Sequence, residues 1–184
     1  MAEPVVEPSI FYDQDVLPVM QEVLGCLCDA LIYAPGGVPC ACLILPGANV
    51  AMDYCDCTTA SYGCGQAWVR LDMSFAGANV YNSVYARKAL QTARCVDIMS
   101  HRLQIGVSRC SPGMTTQGEP PDQWDQLAAV EQQMGDFAAI RRALDCCFTM
   151  SKRREWLFER YTPIGPSGNC VGGYVTMNFR VVSM

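Results

Sequence analysis

Apolar residues recur at helical spacing early in the chain. Val16, Val19, Met20, Val23, Leu24, Leu27 and Leu31 predict an amphipathic helix over about 14–33. Asp13 stands at its expected N-cap, Pro18 fits its first turn, and Ala34-Pro-Gly-Gly ends it. A short apolar run, Cys40 to Leu45, lies between Pro39 and Pro46-Gly47 and predicts a buried strand. Residues 47–63 hold turn formers and read as a loop. Residues 65–75 then alternate: Ala67, Val69, Leu71, Met73 and Phe75 fall on one face, and Trp68, Arg70, Asp72 and Ser74 on the other. Such alternation marks a half-exposed strand. A second strand lies within 93–110, where Leu103, Ile105 and Val107 alternate with Arg102, Gln104 and Ser108. After a Pro/Gly-rich loop over 111–121, Asp122 caps a long helix running to about 148. Its apolar residues Leu127, Val130, Met134, Phe137, Ile140 and Leu144 recur at 3/4 spacing. Two strands close the chain: Arg154 to Tyr161 and, after a turn over Pro163–Gly173, the alternating Val175, Met177, Phe179 and Val181.

The order α-β-β-β-α-β-β has few strand–helix–strand units. It predicts an α+β fold, a mainly antiparallel sheet with two principal helices packed on one face. Residues 1–12 read as an N-terminal arm and 13–184 as a single domain.

Composition narrows the function classes. With 51% hydrophobic and 17% charged residues the chain is neither a disordered tail nor a coiled coil. The net charge of −5 gives it no general attraction to nucleic acid or anionic lipid. The charge is uneven: residues 1–69 carry eight acids and no Lys or Arg, and residues 70–184 carry a net +3. The 23-residue uncharged stretch from Ala30 to Met52 matches a bilayer in length. Its three prolines and its glycines rule out a spanning helix. Residues 1–9 lack the basic start of a secretory signal, so the chain is expected to fold in a cytosol.

Twelve cysteines and a single histidine, His101, set the candidate chemistry. No Cys-x-x-Cys occurs. A Cys-x-Cys pair in a strand holds its sulfurs about 7 Å apart, too far for a mutual disulfide. On a helix, as at Cys26 and Cys28, the two side chains diverge. Cys40, Cys42, Cys146 and Cys147 read as small buried apolar residues. The loop holding Cys55, Cys57 and Cys64, with Asp53 and Asp56, is the place where either a metal or a disulfide could sit. Nucleophile elbows, phosphate-binding glycine loops and zinc-protease motifs are absent from the sequence. Val171-Gly172-Gly173-Tyr174 reads as a tight turn into the last strand. The chain is expected to be no enzyme and to need no cofactor.

Four segments resemble small neck proteins of long-tailed actinobacterial phages, the tail terminators in particular. They are Cys64-Gly-Gln-Ala-Trp-Val-Arg-Leu71, Gln104-Ile-Gly-Val-Ser-Arg-Cys-Ser-Pro112, the Asp136–Cys147 helix with Ile140-Arg-Arg-Ala-Leu144, and Pro163-Ile-Gly-Pro-Ser-Gly-Asn-Cys-Val-Gly-Gly173. The resemblance runs over about residues 14–182. It implies a virion protein, assembled in the host cytoplasm, that forms a homo-hexameric ring at the head-proximal end of the tail. Such a ring stops tail-tube polymerisation, touches the tail tube protein and a head–tail stopper or adaptor, and lets genomic DNA through without reading its sequence. No membrane is involved. The acid-rich first 69 residues would suit a lumen that must not hold DNA. A ring needs two surfaces that meet head to tail. The candidates are Trp68, Arg70 and Asp72 on the first long strand; Tyr81, Tyr85, Arg87 and Lys88 in the polar 76–92 connection; the 111–123 loop; and the N-terminal arm. A stopper or adaptor of the same neck is the alternative within this class. A zinc- or redox-active cysteine protein is the alternative outside it.

Overall fold

A computed structural model of the chain describes residues 15–50, 55, 65–76, 99–113, 118–149, 154–167 and 169–181. Their elements are α1 (Val16–Leu31), β1 (Ala41–Leu45), β2 (Gln66–Ala76), β3 (Met99–Cys110), α2 (Gln123–Thr149), β4 (Arg154–Ser167) and β5 (Cys170–Val181). The strands form a five-stranded sheet in the order β1-β2-β3-β5-β4. β1 runs parallel to β2, and every other pair is antiparallel. This is the expected α+β fold, with both helices on one face.

Side-chain alternation builds the core. Ala67 and Val69 of β2, Leu103, Ile105 and Val107 of β3, and Val175, Met177 and Phe179 of β5 all point to the helix face and are essentially inaccessible. Val19, Val23, Leu27 and Leu31 of α1 and Ala139, Ile140, Ala143 and Leu144 of α2 close over them. Trp156, Phe158 and Tyr161 of β4 extend the same layer, and Phe137 packs on it with its ring centroid 4.5 Å from that of Tyr161. α2 starts where Asp122 accepts hydrogen bonds from the Trp124 and Asp125 amides at 2.7 and 2.8 Å, a side-chain N-cap. α1 starts at Asp15, which makes no such cap bond. Asp13 lies outside the described residues, as do the 1–12 arm and most of the 76–92 connection.

Three expectations need correction. The Pro163–Gly173 segment is not a turn: β4 continues through Pro163 to Ser167, and β5 begins at Cys170. Proline is tolerated there because β4 lies at the edge of the sheet formed by the described residues. Gly172 and Gly173 are therefore strand residues. A Cβ on Gly173 would lie 2.1 Å from the Tyr161 hydroxyl, and one on Gly172 would lie 2.1 Å from the Val107 carbonyl oxygen. Second, the β2 alternation breaks. The register with β3 shifts between Leu71 and Met73, which pair with Leu103 and Arg102. Past this bulge Ser74 stands opposite His101 and meets its Nδ1 at 2.9 Å. Third, α2 does not bury its whole apolar stripe. Leu127, Val130 and Met134 are about half exposed, whereas Ile140 and Leu144 are buried.

Candidate functional site

The face of the sheet away from the helices is polar and internally wired. Arg70 donates to Gln104 Oε1 at 3.0 Å, to the Gly47 carbonyl at 3.1 Å and to Asp72 at 3.4 Å. Gln104 in turn donates to Asp72 at 3.1 Å. One strand pair further on, Arg102 donates to Asn178 at 3.1 Å and to Glu159 at 3.0 Å, and Asn178 donates to Glu159 at 2.5 Å. Cross-strand register makes these pairs: Arg70 stands opposite Gln104, and Arg102 opposite Asn178. Of the predicted contact residues, Trp68 is 0% exposed. Its indole lies across Gly106, where a Cβ would come within 2.4 Å of the ring, and its ring centroid is 6.0 Å from that of Tyr174. Trp68 is thus enclosed within its own chain, and Arg70 is spent on internal partners. Tyr81, Tyr85, Arg87 and Lys88 lie outside the described residues.

A second polar cluster, which the strand and helix patterns alone do not disclose, sits on the helix face. Arg109 ends the inward row of β3 and is 2% exposed. Its guanidinium takes Asp136 in a two-pronged pair, Nε to Oδ2 at 2.8 Å and Nη2 to Oδ1 at 2.7 Å. The remaining donors reach the carbonyls of Gly36 and Gly37 at 2.8 and 2.7 Å. β3, α2 and the α1–β1 turn are thereby joined at one point. Burial pushes the Asp136 carboxyl up from its ordinary value, against the downward pull of the Arg109 hydrogen bonds and charge. The sequence held one signal of this pair. Asp136 lies at an inward helical position among Ala139, Ile140 and Ala143, and Arg109 at an inward strand position after Val107.

The first half of α2 carries a run of exposed apolar side chains. Trp124 is 68% exposed, and Leu127, Val130 and Met134 continue the stripe at spacings of three, three and four residues. That stripe points away from the core, because Asp136, Ala139, Ile140 and Ala143 occupy the opposite side of the same helix. An open groove of about 660 Å³ runs beneath this half-helix, lined by Pro35, Pro112, Asp125, Ala128 and Gln132 among others. The first three turns of α2 are therefore largely exposed, and burial of the helix begins at Asp136. The sequence showed this stripe but not its direction.

Among the described residues every cysteine but Cys146 is in a disulfide. Cys26 of α1 joins Cys147 of α2, Cys28 of α1 joins Cys42 of β1, and Cys55 joins Cys170 at the start of β5. Cys40 and Cys110 are also disulfide-bonded. The reading of Cys40, Cys42 and Cys147 as plain apolar residues is overturned, since each sulfur is in a bridge. Cys146 is a free thiol, and it is exposed rather than buried. The divergence of Cys26 and Cys28 lets α1 staple two different elements. Cys55 is a cystine sulfur, not a thiolate, which removes it from the metal-ligand set proposed with Cys57 and Cys64. Those two lie outside the described residues. Among the described residues no cluster of three His, Cys, Asp or Glu is placed to hold a metal ion, and no helix is long and apolar enough to cross a membrane.

Compared with protein-family models and with curated protein sequences, the chain matches none.

Proposed function

We propose that this chain is a structural virion protein of a long-tailed phage neck, a tail-terminator-like subunit that closes into a hexameric ring. On this reading it caps the head-proximal end of the tail tube, stops tube polymerisation, and presents a surface to a head–tail stopper or adaptor while DNA passes through the lumen. It is assembled in the host cytoplasm and acts without catalysis or cofactor. The observation that carries the reading is the exposed half of α2. Four large apolar side chains, Trp124, Leu127, Val130 and Met134, line one exposed stripe on the first half of α2, whose second half covers the core. Apolar stripes of this kind mark association surfaces. The α+β layout and the four resembling segments support the same reading.

Sedimentation of the purified chain from micromolar to hundreds of micromolar concentration tests it, alongside Leu127→Asp and Met134→Asp variants. The expected result is a six-fold mass that falls to the monomer in both variants, with the parent's far-ultraviolet circular dichroism spectrum retained. A chain that stays monomeric over the whole range overturns the ring.

A further inference from the structure

The bridges differ in what surrounds them. Cys55 and Cys170 are 6% and 1% exposed, and the α1–α2 bridge joins Cys147, 6% exposed, to the half-buried Cys26. Cys42 is exposed and its partner Cys28 half-buried. Thiol–disulfide exchange needs a thiolate to reach a sulfur along the S–S axis, so access decides which bridge opens. Cys28–Cys42 also has a distinct place in the fold. It spans only 14 residues of chain and ties the end of α1 to β1, a five-residue strand that among the described residues pairs with β2 alone. The segment between the two cysteines is held independently in its middle, where Arg109 grips the Gly36 and Gly37 carbonyls. Cys40, also bonded, holds the entrance to β1. Opening Cys28–Cys42 therefore removes the covalent tie between α1 and β1, leaving β1 held by its pairing with β2 and by the packing of Ile44 on the core.

We propose that Cys28–Cys42 is a reversible redox clasp on the sheet edge, opened by low-molecular-weight thiols while Cys26–Cys147 and Cys55–Cys170 stay closed. The small thiolate attacks Cys42 Sγ and forms a mixed disulfide. The Cys28–Cys42 bond breaks, and Cys28 leaves as a thiolate that takes a proton from water. A second small thiolate attacks the mixed disulfide at its small-molecule sulfur and expels the Cys42 thiolate, which is protonated in turn. The net exchange converts one protein disulfide and two small thiols into two protein thiols and one small disulfide, a two-electron reduction of the protein. The reverse reaction, driven by a small disulfide, closes the clasp. In a reducing cytosol the edge is loose, and in an oxidising medium it is pinned. The proposal stands whether or not the chain forms a ring.

The test uses the full chain, purified without reductant and exposed to graded mixtures of reduced and oxidised glutathione. Iodoacetamide labelling and peptide mapping follow each cysteine, with exposed Cys146 as the reference thiol. Cys28 and Cys42 should become labelled at least tenfold faster than Cys26, Cys147, Cys55 and Cys170. Amide exchange over Ala41–Leu45 should rise at least tenfold as they open, while the β3 and β5 amides keep their protection. A Cys28→Ser/Cys42→Ser double variant should show the raised exchange with no thiol present. If that variant does not fold, the thiol-treated wild type still decides. Equal opening rates for the three bridges, or unchanged β1 exchange with the clasp open, overturns the proposal.

Discussion

Arg109 makes four hydrogen bonds, and two of them end on Asp136. Asp136→Ala would leave a buried guanidinium with carbonyl partners alone. Removing one member of a buried pair typically costs about 3–5 kcal/mol, and urea unfolding should read a loss of that order. Tyr161 offers a test with a sign. Burial, with a smaller push from Asp136, raises its hydroxyl to about 12 against a pull from the Gln133 hydrogen bond. The unfolded chain loses this proton near pH 10 and the folded chain near 12. Between those values the folded state holds more protons, so stability present below pH 10 should decline as the pH rises toward 12. Tyr161→Phe should flatten that decline in denaturant midpoints measured from pH 9 to 12. At Gly106, where the Trp68 indole lies over the backbone, Gly106→Ala should cost about 1–3 kcal/mol in thermal melts by overpacking.

α2 carries two apolar stripes at nearly the same spacing. Periodicity announces a helix but cannot say which stripe meets the sheet. The inner one, from Asp136 to Cys147, is set by the strand residues it covers; the outer one, from Trp124 to Met134, has no such cover. The two should respond differently to substitution. Ile140→Ala should lose about 2–5 kcal/mol in urea titration, whereas Met134→Asp, compared with the parent at a concentration where both are monomers, should stay within about 0.5 kcal/mol of it. A loss at Met134 as large as that at Ile140 would mean that the outer stripe is packed after all. Strand positions were legible for a plain reason: Leu103, Ile105 and Val107, and Val175, Met177 and Phe179, each have one wet and one dry neighbour face. Pro163, Pro166 and Gly172 misled because they are turn formers in general, while an edge strand accommodates the prolines and close backbone and side-chain approach calls for the glycine. The bulge after Leu71 left no mark in the alternation, since Met73 and Phe75 remain apolar.

At the scale of the molecule, covalent cross-links tie the helical layer together and to the sheet. Cys26–Cys147 closes 121 residues between the two helices. Replacing both cysteines with alanine should lower stability by about 2–5 kcal/mol under oxidising conditions and make little difference in a reductant strong enough to open this bridge as well. Differential scanning calorimetry of both forms in both media would separate the two. Pairing was not legible from spacing: Cys26 and Cys147 are brought together only by α1 lying along α2, and Cys55 and Cys170 only by the sheet order. The free Cys146 beside bonded Cys147 shows the same limit, since one helical step turns a side chain by about 100° from core to solvent.

The sheet order also governs when the fold can close. β5 lies between β3 and β4 although both precede it in the chain. A nascent chain that has reached only β4 has two strands, β3 and β4, with bare ladders facing a gap that no earlier segment fills. Helix α1 can form and β2 can find β3, but the central pairing of His101 with Phe179 through Cys110 with Cys170 waits for the last strand. Closure of the sheet is therefore deferred until residue 181 has been made, and a chain stopped short of it presents two open edges to every other copy nearby.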